Sequence, residues 1–179
     1  MSMNQMPASL SEWETPDLLI EPAAPCLLPG IIKLANAYPY PHSVLGQPGA
    51  ERYVERLAAQ TNYPGEGWYA TTHFGEVAAA AYLSVYGVGD GSGHTLWKIR
   101  HPLLADNLPA QSLLAFLFDA LTVTALRLRG GSAKFVIFLG EYETDVMTQA
   151  RQAGFQCEAR FKDYYRLGED CFVYCKTMR

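Results

Sequence analysis

The sequence predicts a single α/β domain, and three observations on its 179 residues support that prediction. Helical and strand-like segments alternate along the chain in the order β-α-α-β-β-β-α-β-α-β-β. Three pairs of neighbouring strands are joined by short turns of the kind that make antiparallel hairpins. The length suits one domain with a full core, so we expect residues 1–16 to be a tail and residues 17–179 to be the domain.

The first half of the chain predicts two helices and four strands. Apolar residues recur at helical spacing in two segments, and in the first of these Pro29 and Gly30 mark a break or a late start. Alternating prolines in "YPYPHSVLGQPG" forbid a helix and predict a loop over 38–49. The elements in chain order are a strand at 17–22, helices at 25–38 and 50–60, and strands at 68–74, 76–87 and 94–102.

The second half predicts two helices and three strands. The longest helix spans 108–131, where Pro109 suits the first turn and Gly130 with Gly131 suit the end. It is apolar around almost its whole circumference, so we expect it to be buried. The continuously apolar run at 133–140 is typical of a central or parallel strand. The remaining elements are a helix at 143–155, with Thr144 as its cap, and a closing hairpin at 156–178.

Composition and charge exclude several classes of protein. The net charge of −4 gives no basic surface for nucleic acid. No apolar run approaches the roughly 18 residues of a membrane span, and the first residues lack the features of a signal peptide. We therefore expect a cytoplasmic protein that binds neither nucleic acid nor membrane. No zinc motif, and hence no metal site, is expected from the spacing of Cys26, Cys157, Cys171 and Cys175, which we predict to be reduced thiols.

Two stretches, together with the element order, resemble the GNAT acetyltransferase superfamily. "ARQAGFQCEARFKDYYRLGEDCFVYCK" (150–176) is similar to the family's closing helix, Gly-Phe step and last two strands. "IRHPLLADNLPAQSLL" (99–114) is similar to its fourth strand and the loop that opens its third helix. The resemblance covers roughly 17–176. It implies a mixed, mostly antiparallel central sheet flanked by helices on both faces, and a GNAT-like acyltransferase domain over 17–179.

The resemblance implies N-acyl transfer from acetyl-CoA or another acyl-CoA to a small-molecule or protein amine. In the family, the loop R/Q-x-x-G-x-G/A holds the pyrophosphate on backbone amides, because its glycines let the main chain approach closely. Here Ala105, Leu108 and Ala110 occupy those positions, so the loop is degenerate. Asp106 adds a repulsion of about 1 kcal/mol. The implied coenzyme A residues are Ile99, Arg100, His101, Ala105, Asp106, Asn107, Leu108, Ala110 and Gln111.

Proton transfer must also differ from the family pattern. The position of the family's usual tyrosine acid is Ala150, the position of its asparagine is Glu143, and the fourth strand, "TLWKIR", contains no acidic residue. His101 ends that strand beside the expected cleft and has a suitable ordinary pKa. Glu141 and Tyr142 leave the fifth strand on the other side of the cleft. We predict these three as catalytic residues, against the plainer alternative of a strand-end histidine and acids that favour a helix start.

The resemblance places the segment "AYPYPHS" (37–43) at the acceptor pocket. Its rigid prolines would present Tyr38, Tyr40 and His42 as an aromatic wall, unless the rings simply cap the core. Tyr165 follows Tyr164 in a strand, where side chains alternate between faces. We predict that one ring of this pair is core and that Tyr165 contacts the acceptor.

Three alternatives stay open at the level of the sequence. A GNAT-like module that has lost catalysis could bind a ligand or partner through the same cleft, and fold does not decide between the two. An acyltransferase could also take its acyl group from a carrier-protein thioester, which needs no pyrophosphate loop. A homodimer is plausible because several GNAT proteins pair through their sheets.

Overall fold

A computed structural model describes residues 17–18, 23–40, 43–88, 93–105 and 113–179. In these ranges the elements follow the predicted order, with a short 3-10 turn (Pro25–Leu27) before the first helix. The strands are β1 (Asp17–Leu18), β2 (Gly67–His73), β3 (Glu76–Val88), β4 (His94–Leu104), β5 (Ser132–Gly140), β6 (Gln156–Arg166) and β7 (Glu169–Met178). The helices are α1 (Leu28–Asn36), α2 (Ala50–Ala59), α3 (Leu113–Arg129) and α4 (Thr144–Gln152).

The described strands form one seven-stranded sheet in the order β1-β2-β3-β4-β5-β7-β6. Neighbouring strands pair antiparallel except for β4 and β5, which run parallel. A parallel pair needs a crossover connection, and the long apolar helix α3 lies in the segment that makes it. The predicted mixed, mostly antiparallel sheet is therefore confirmed, as is the prediction that β5 is a central, parallel strand.

Helices cover both faces of the sheet, as predicted. One core lies between the sheet and helices α3 and α4, and a second lies between the sheet and helices α1 and α2. Side chains alternate along a strand, so β4 contributes to both sides. Trp97 and Ile99 belong to the α3–α4 core, whereas Lys98 and Arg100 line a cavity together with residues of α2. We call the two sides the α3–α4 face and the α1–α2 face.

Helix α1 approaches β3 unusually closely. Residues 78–81 of β3 are four buried alanines, which bring little side-chain bulk into either core. A Cβ atom built on Gly30 would lie 2.5 Å from Cγ2 of Val77, well inside van der Waals contact. Small residues on both elements thus allow the helix to pack directly against the strand.

Strands β4 and β5 separate towards their C-terminal ends. Their parallel pairing ends at Ile99 and Ile137, although β4 continues to Leu104 and β5 to Gly140. Past the last pair, the two strands no longer share hydrogen bonds, so their facing backbone groups need other partners. The separation opens a gap between the ends of β4 and β5.

A β-bulge on the opposite edge of β4 accompanies this separation. Between Arg100 and Leu103, two residues of β4 face one residue of β3. His101 lies in the bulge with a φ angle of 51°, in the left-handed region that few residues other than glycine adopt. Bulges bend a strand and redirect its side chains, and this one lies where β4 leaves its pairing with β5.

Most local predictions agree with the described elements, with one correction. Helix α3 ends at Arg129, and Gly130 follows it with a φ angle of 65°, as the glycine signal indicates. Thr144 is not the cap of α4 but its first residue, and Glu143 holds the cap position without a capping hydrogen bond. The carboxylate of Glu143 is directed elsewhere, as described below. The predicted tail at 1–16, the end of the first strand at 19–22 and Pro109 lie outside the described residues.

Candidate functional site

A cavity of about 240 Å³ lies on the α1–α2 face, where β4 and β5 separate. Residues 98–102 of β4 form its floor. Tyr38 and Val44, from the loop between α1 and α2, form one wall, and Phe138 of β5 forms another. Glu143, just before α4, and Tyr165, near the end of β6, complete the lining. The cavity therefore collects residues from five separate parts of the chain around one gap in the sheet.

A hydrogen bond between Tyr38 and Glu143 crosses the gap. The Tyr38 hydroxyl donates to Oε1 of Glu143 in a short contact, and the backbone N–H of Gly140 donates to Oε2 at 2.6 Å. Glu143 is 1% exposed, and a carboxylate buried to this degree needs hydrogen-bond donors to offset its lost hydration. The carboxylate thus fixes the loop that carries Tyr38 against the end of β5.

Gly46 holds that loop in place. Its N–H donates to the carbonyl oxygen of Ala35 at 2.8 Å, and its φ angle of 72° lies in the left-handed region. A Cβ atom at this position would lie 2.1 Å from the carbonyl oxygen of Tyr38. Glycine allows both the left-handed φ angle and the close approach because it has no side chain. Gly46, eight positions after Tyr38, therefore fixes the position of the Tyr38 backbone.

The two tyrosines of the cavity stay protonated. Burial, and then the carboxylate of Glu143, raise the pKa of Tyr38 far above its usual value of 10.0. Burial, and then the neighbouring Cys171, raise the pKa of Tyr165 in the same way. Both hydroxyls can donate hydrogen bonds or pass a proton on, and neither is a phenolate near neutral pH.

His101 is a neutral side chain in the cavity floor. Burial lowers its pKa to about 3, and the charges of Arg100 and Lys98 act in the same direction. Its Nε2 lies 2.8 Å from the hydroxyl of Tyr53, and that hydroxyl accepts a hydrogen bond from Arg100 at 2.9 Å. Because the Tyr53 oxygen accepts from Arg100, its own proton is free to go to Nε2 of His101. The predicted role of His101 as a base stays a prediction.

A second cavity, of about 180 Å³, lies on the other side of Tyr38. It shares Tyr38 and Pro102 with the first cavity and is also lined by Ala105, Asp145 and Val146. It therefore lies between the end of β4 and the start of α4. The gap between β4 and β5 can be approached from both cavities, with Tyr38 between them.

The predicted coenzyme A residues divide into two groups. Residues at the separation of β4 and β5 are Ile99, Arg100, His101 and Ala105. Residues outside the described ranges are Asp106, Asn107, Leu108, Ala110 and Gln111. The degenerate pyrophosphate loop therefore stays a prediction from the sequence.

The structure brings together some of the other predicted site residues. Tyr38 and Tyr165 line the first cavity, and Tyr40 lines the second, with its ring centroid 5.1 Å from that of Tyr38. Neither Glu141 nor Tyr142 is among the residues that line these cavities, and Tyr142 is 54% exposed. His42 lies outside the described residues.

Sequence reasoning missed three residues of this site. Glu143 was assigned to the start of a helix, and nothing in the sequence links it to Tyr38, which lies 105 positions earlier. Lys98 carries a signal that could have been used, because it alternates with apolar residues in a strand that ends at the cleft. Tyr53 of α2 contacts His101 and Arg100 of β4, and nothing in the sequence links it to a strand nearly fifty positions later.

The structure also addresses metals and membranes. Among the described residues, no group of three or more His, Cys, Asp or Glu side chains could hold a metal ion. No helix in the described part of the chain is long and apolar enough to cross a membrane. The described cysteines, Cys26, Cys157, Cys171 and Cys175, are free thiols.

Solved structures share this arrangement of sheet and helices. The ribosomal-protein-alanine N-acetyltransferase of Brucella melitensis has a TM-score of 0.70 at 13% identity, over 88% of this chain and 98% of that chain. A GNAT-family acetyltransferase of Bacillus cereus has a TM-score of 0.66 at 10% identity, over 93% and 100%. This chain has the GNAT fold. Arabidopsis thaliana Naa50, in complex with the bisubstrate analogue CoA-Ac-MVNAL, has a TM-score of 0.63 at 15% identity, over 90% and 97%.

The GNAT fold confirms the resemblance seen in the two sequence stretches, and with it the predicted fold class. No family model and no curated protein matches the sequence. At 10–15% identity to the structures above, the shared property is the fold. The chemistry has to be argued from the residues that this chain places around the gap.

Proposed function

We propose that this chain transfers an acyl group from acyl-CoA to an amine in the cytoplasm, with a small molecule or a protein as acceptor. The observation that supports the proposal most is the gap past Ile99 and Ile137, with a cavity on it. Solved proteins of the same fold are named as N-acetyltransferases, and one of them contains a coenzyme A bisubstrate analogue. Acyl transfer is therefore the chemistry that fits this fold and this gap together.

The donor fits the backbone that the gap leaves unpaired. Past Ile99, the groups of β4 that face β5 have no strand partner there, and a thioester and its amide-containing arm offer both donors and acceptors to such groups. In this proposal residues 99–101 orient the thioester, and residues 105–110 face the pyrophosphate. The acceptor amine enters from the cavity on the α1–α2 face.

The rate enhancement rests mainly on position. Holding an amine against a thioester in attacking geometry makes the reaction effectively unimolecular, which can supply about 7–11 kcal/mol of the barrier. The rigid parts around the gap are two strands and the Tyr38 loop, which is tied down by Glu143 and Gly46. Such a site is pre-organised before either substrate binds.

Glu143 and Tyr38 supply the proton path in this proposal. As the amine attacks, the C–N bond forms and the C–S bond breaks, and the amine proton passes through the Tyr38 hydroxyl to the Glu143 carboxylate. The same proton then returns to the departing thiolate, so the net products are an amide and free coenzyme A. Glu141 and Tyr142 take no part here because neither lines the cavity.

One titration tests the donor. A ligand at 100 times its Kd stabilises the folded chain by about 2.7 kcal/mol, so acetyl-CoA and coenzyme A should each raise the melting temperature measurably. Release of free thiol with a panel of primary amines then tests transfer. No melting shift at millimolar coenzyme A would contradict the proposal.

The two alternatives predict other outcomes in the same experiment. A GNAT-fold module without catalysis shows no thiol release with any amine. An enzyme that uses a carrier-protein thioester shows no melting shift with coenzyme A, yet acylates an amine when the acyl carrier is supplied. Each outcome thus identifies one of the three functions.

A further inference from the structure

A third cavity, of about 440 Å³, adjoins the candidate acceptor cavity on the α1–α2 face. The two cavities share Lys98 and Arg100 of β4. The third cavity extends from these two residues towards α2, where Gln60 and Tyr82 contribute to its lining. An acceptor whose amine reaches the gap therefore has Lys98 and Arg100 beside its next few atoms.

Neither cation is neutralised by a carboxylate within the described part of the chain. Lys98 Nζ lies 4.1 Å from the ring centroid of Phe138 and 5.6 Å from that of Tyr86. The guanidinium of Arg100 donates to the hydroxyl of Tyr53, which is uncharged. The partners named for the two cations are thus two rings and one hydroxyl, which stabilise a cation less than an anion does.

The two acids that line these cavities are already engaged. Glu143 accepts hydrogen bonds from Tyr38 and from the backbone of Gly140. Glu66, which is 6% exposed, accepts from the backbone N–H groups of Asn62, Tyr63 and Val85 at 2.7–3.1 Å. Neither forms an ion pair with Lys98 or Arg100 in the described structure, so neither cation has a carboxylate in direct contact.

The two positive charges also disfavour each other. They stand two residues apart on one strand, about 7 Å along the chain. Burial, and then the charge of Arg100, lower the pKa of Lys98. An anion placed between the two would relieve this repulsion and would gain two charge-assisted hydrogen bonds.

We propose that the acceptor carries a carboxylate within a few bonds of its amine, and that Lys98 and Arg100 bind this carboxylate. The inference rests on the proposed function and narrows its substrate class. It disfavours polyamines and lysine-rich peptides, whose additional positive charges would meet two cations. The carboxylate belongs either to a free amino acid or to an acidic side chain at the amino terminus of a peptide.

Matched pairs of acceptors test this. The first pair is glycine and glycinamide, which differ in whether the free amino acid carries a carboxylate or an uncharged amide. The peptide Glu-Ala-amide against Gln-Ala-amide does the same for an acidic side chain, at equal size. We expect the carboxylate member of at least one pair to have a kcat/KM about tenfold higher or more, as a hydrogen-bonded charge gives. Equal values in both pairs would overturn the proposal.

Variants assign the preference to the two cations. Lys98→Met and Arg100→Gln should each reduce the ratio of kcat/KM between the carboxylate acceptor and its uncharged partner towards one. Lys33 is an exposed cation on α1, and the control variant Lys33→Met should keep the ratio of the parent chain. A preference that survives in both site variants would contradict the assignment. A loss of the coenzyme A melting shift in Lys98→Met would place this cation at the donor instead, and would also overturn the proposal.

A binding measurement separates this proposal from the proposed function. Calorimetry with the same acceptor pairs needs no turnover and no donor. If no amine is acylated but Glu-Ala-amide or glycine binds more tightly than its uncharged partner, the acyltransferase assignment fails and the anion site stands. If acylation proceeds without any carboxylate preference in rate or binding, the acyltransferase assignment stands and the anion site fails.

Discussion

At the scale of single residues, the hydrogen bond between Tyr38 and Glu143 has two roles. It satisfies a carboxylate that is 1% exposed, and it brings a phenol and an acid to the side of a gap in the sheet. A buried carboxylate that loses a donor keeps its full cost of desolvation. Stability and acyl transfer should therefore both depend on this pair.

A double-mutant cycle measures that dependence. Tyr38→Phe removes the donor from a buried carboxylate, so we expect it to destabilise the fold by about 1–3 kcal/mol. Glu143→Gln in the Tyr38→Phe background should cost much less than in the parent chain, because residues in one network are coupled. Urea unfolding of the four chains gives the coupling. Additive effects would show that the pair does not interact.

His101 predicts a particular dependence of stability on pH. In the unfolded chain its pKa has the ordinary value of 6.5, whereas in the fold it is about 3. Between these values the unfolded chain binds the proton and the folded chain does not, so stability falls as the pH drops through that window. Asparagine tolerates the left-handed φ angle of this position. In His101→Asn, the unfolding free energy should therefore fall less steeply with decreasing pH below 6.5, by the slope that up to about one bound proton gives. The urea midpoint measured at a series of pH values provides this slope. An unchanged slope would contradict the lowered pKa of His101 in the fold.

At the scale of secondary-structure elements, the loop between α1 and α2 is the part whose geometry decides the site. Gly46 approaches the carbonyl oxygen of Tyr38 so closely that any side chain would collide with it. Gly49, three residues later, has a φ angle of 98°, but a Cβ atom added there would have no neighbour within 4 Å. Both glycines thus have a left-handed backbone, but only at Gly46 would an added Cβ atom meet a neighbour.

That difference gives a matched test. Both Gly46→Ala and Gly49→Ala introduce strain of about 1 kcal/mol from the left-handed backbone. Gly46→Ala must also displace Tyr38, so we expect a larger loss of stability and, under the proposed function, a fall in kcat that Gly49→Ala does not show. Unfolding free energies and thiol-release rates provide the comparison. Equal effects of the two substitutions would contradict the role of Gly46 in positioning Tyr38.

The order of the helices and strands could be predicted from the sequence, whereas the contact between Glu143 and Tyr38 could not. Apolar periodicity and turn residues identified the described helices and strands in the right order, because both signals are local. The wrong cap at Thr144 has a non-local cause: the neighbouring Glu143 directs its carboxylate to Tyr38, on another element. Contacts between residues 105 positions apart leave no periodic trace, so the sequence predicted Glu141 and Tyr142 as catalytic residues and not Glu143.

At the scale of the whole molecule, the described strands separate two cores, and a gap opens where the pairing of β4 and β5 ends. Helices α3 and α4 cover one face, helices α1 and α2 cover the other, and β4 and β5 part between them. A donor that enters beside the start of α3 and an acceptor that enters from the α1–α2 face would meet at residues 99–101. Under the proposed function, this chain would thus offer two approaches to one reaction point, even though its predicted pyrophosphate loop is degenerate.

The most direct test is a titration of the labelled chain with coenzyme A, followed by amide NMR shifts. We predict that perturbations concentrate in residues 99–104 of β4, in residues 138–140 of β5 and in residues 141–143 that follow it, where β4 and β5 no longer pair. The paired residues 94–98 and 132–136 should change little. Perturbations confined to other parts of the sheet, or none at saturating ligand, would contradict the claim that the gap between β4 and β5 is the site of acyl transfer.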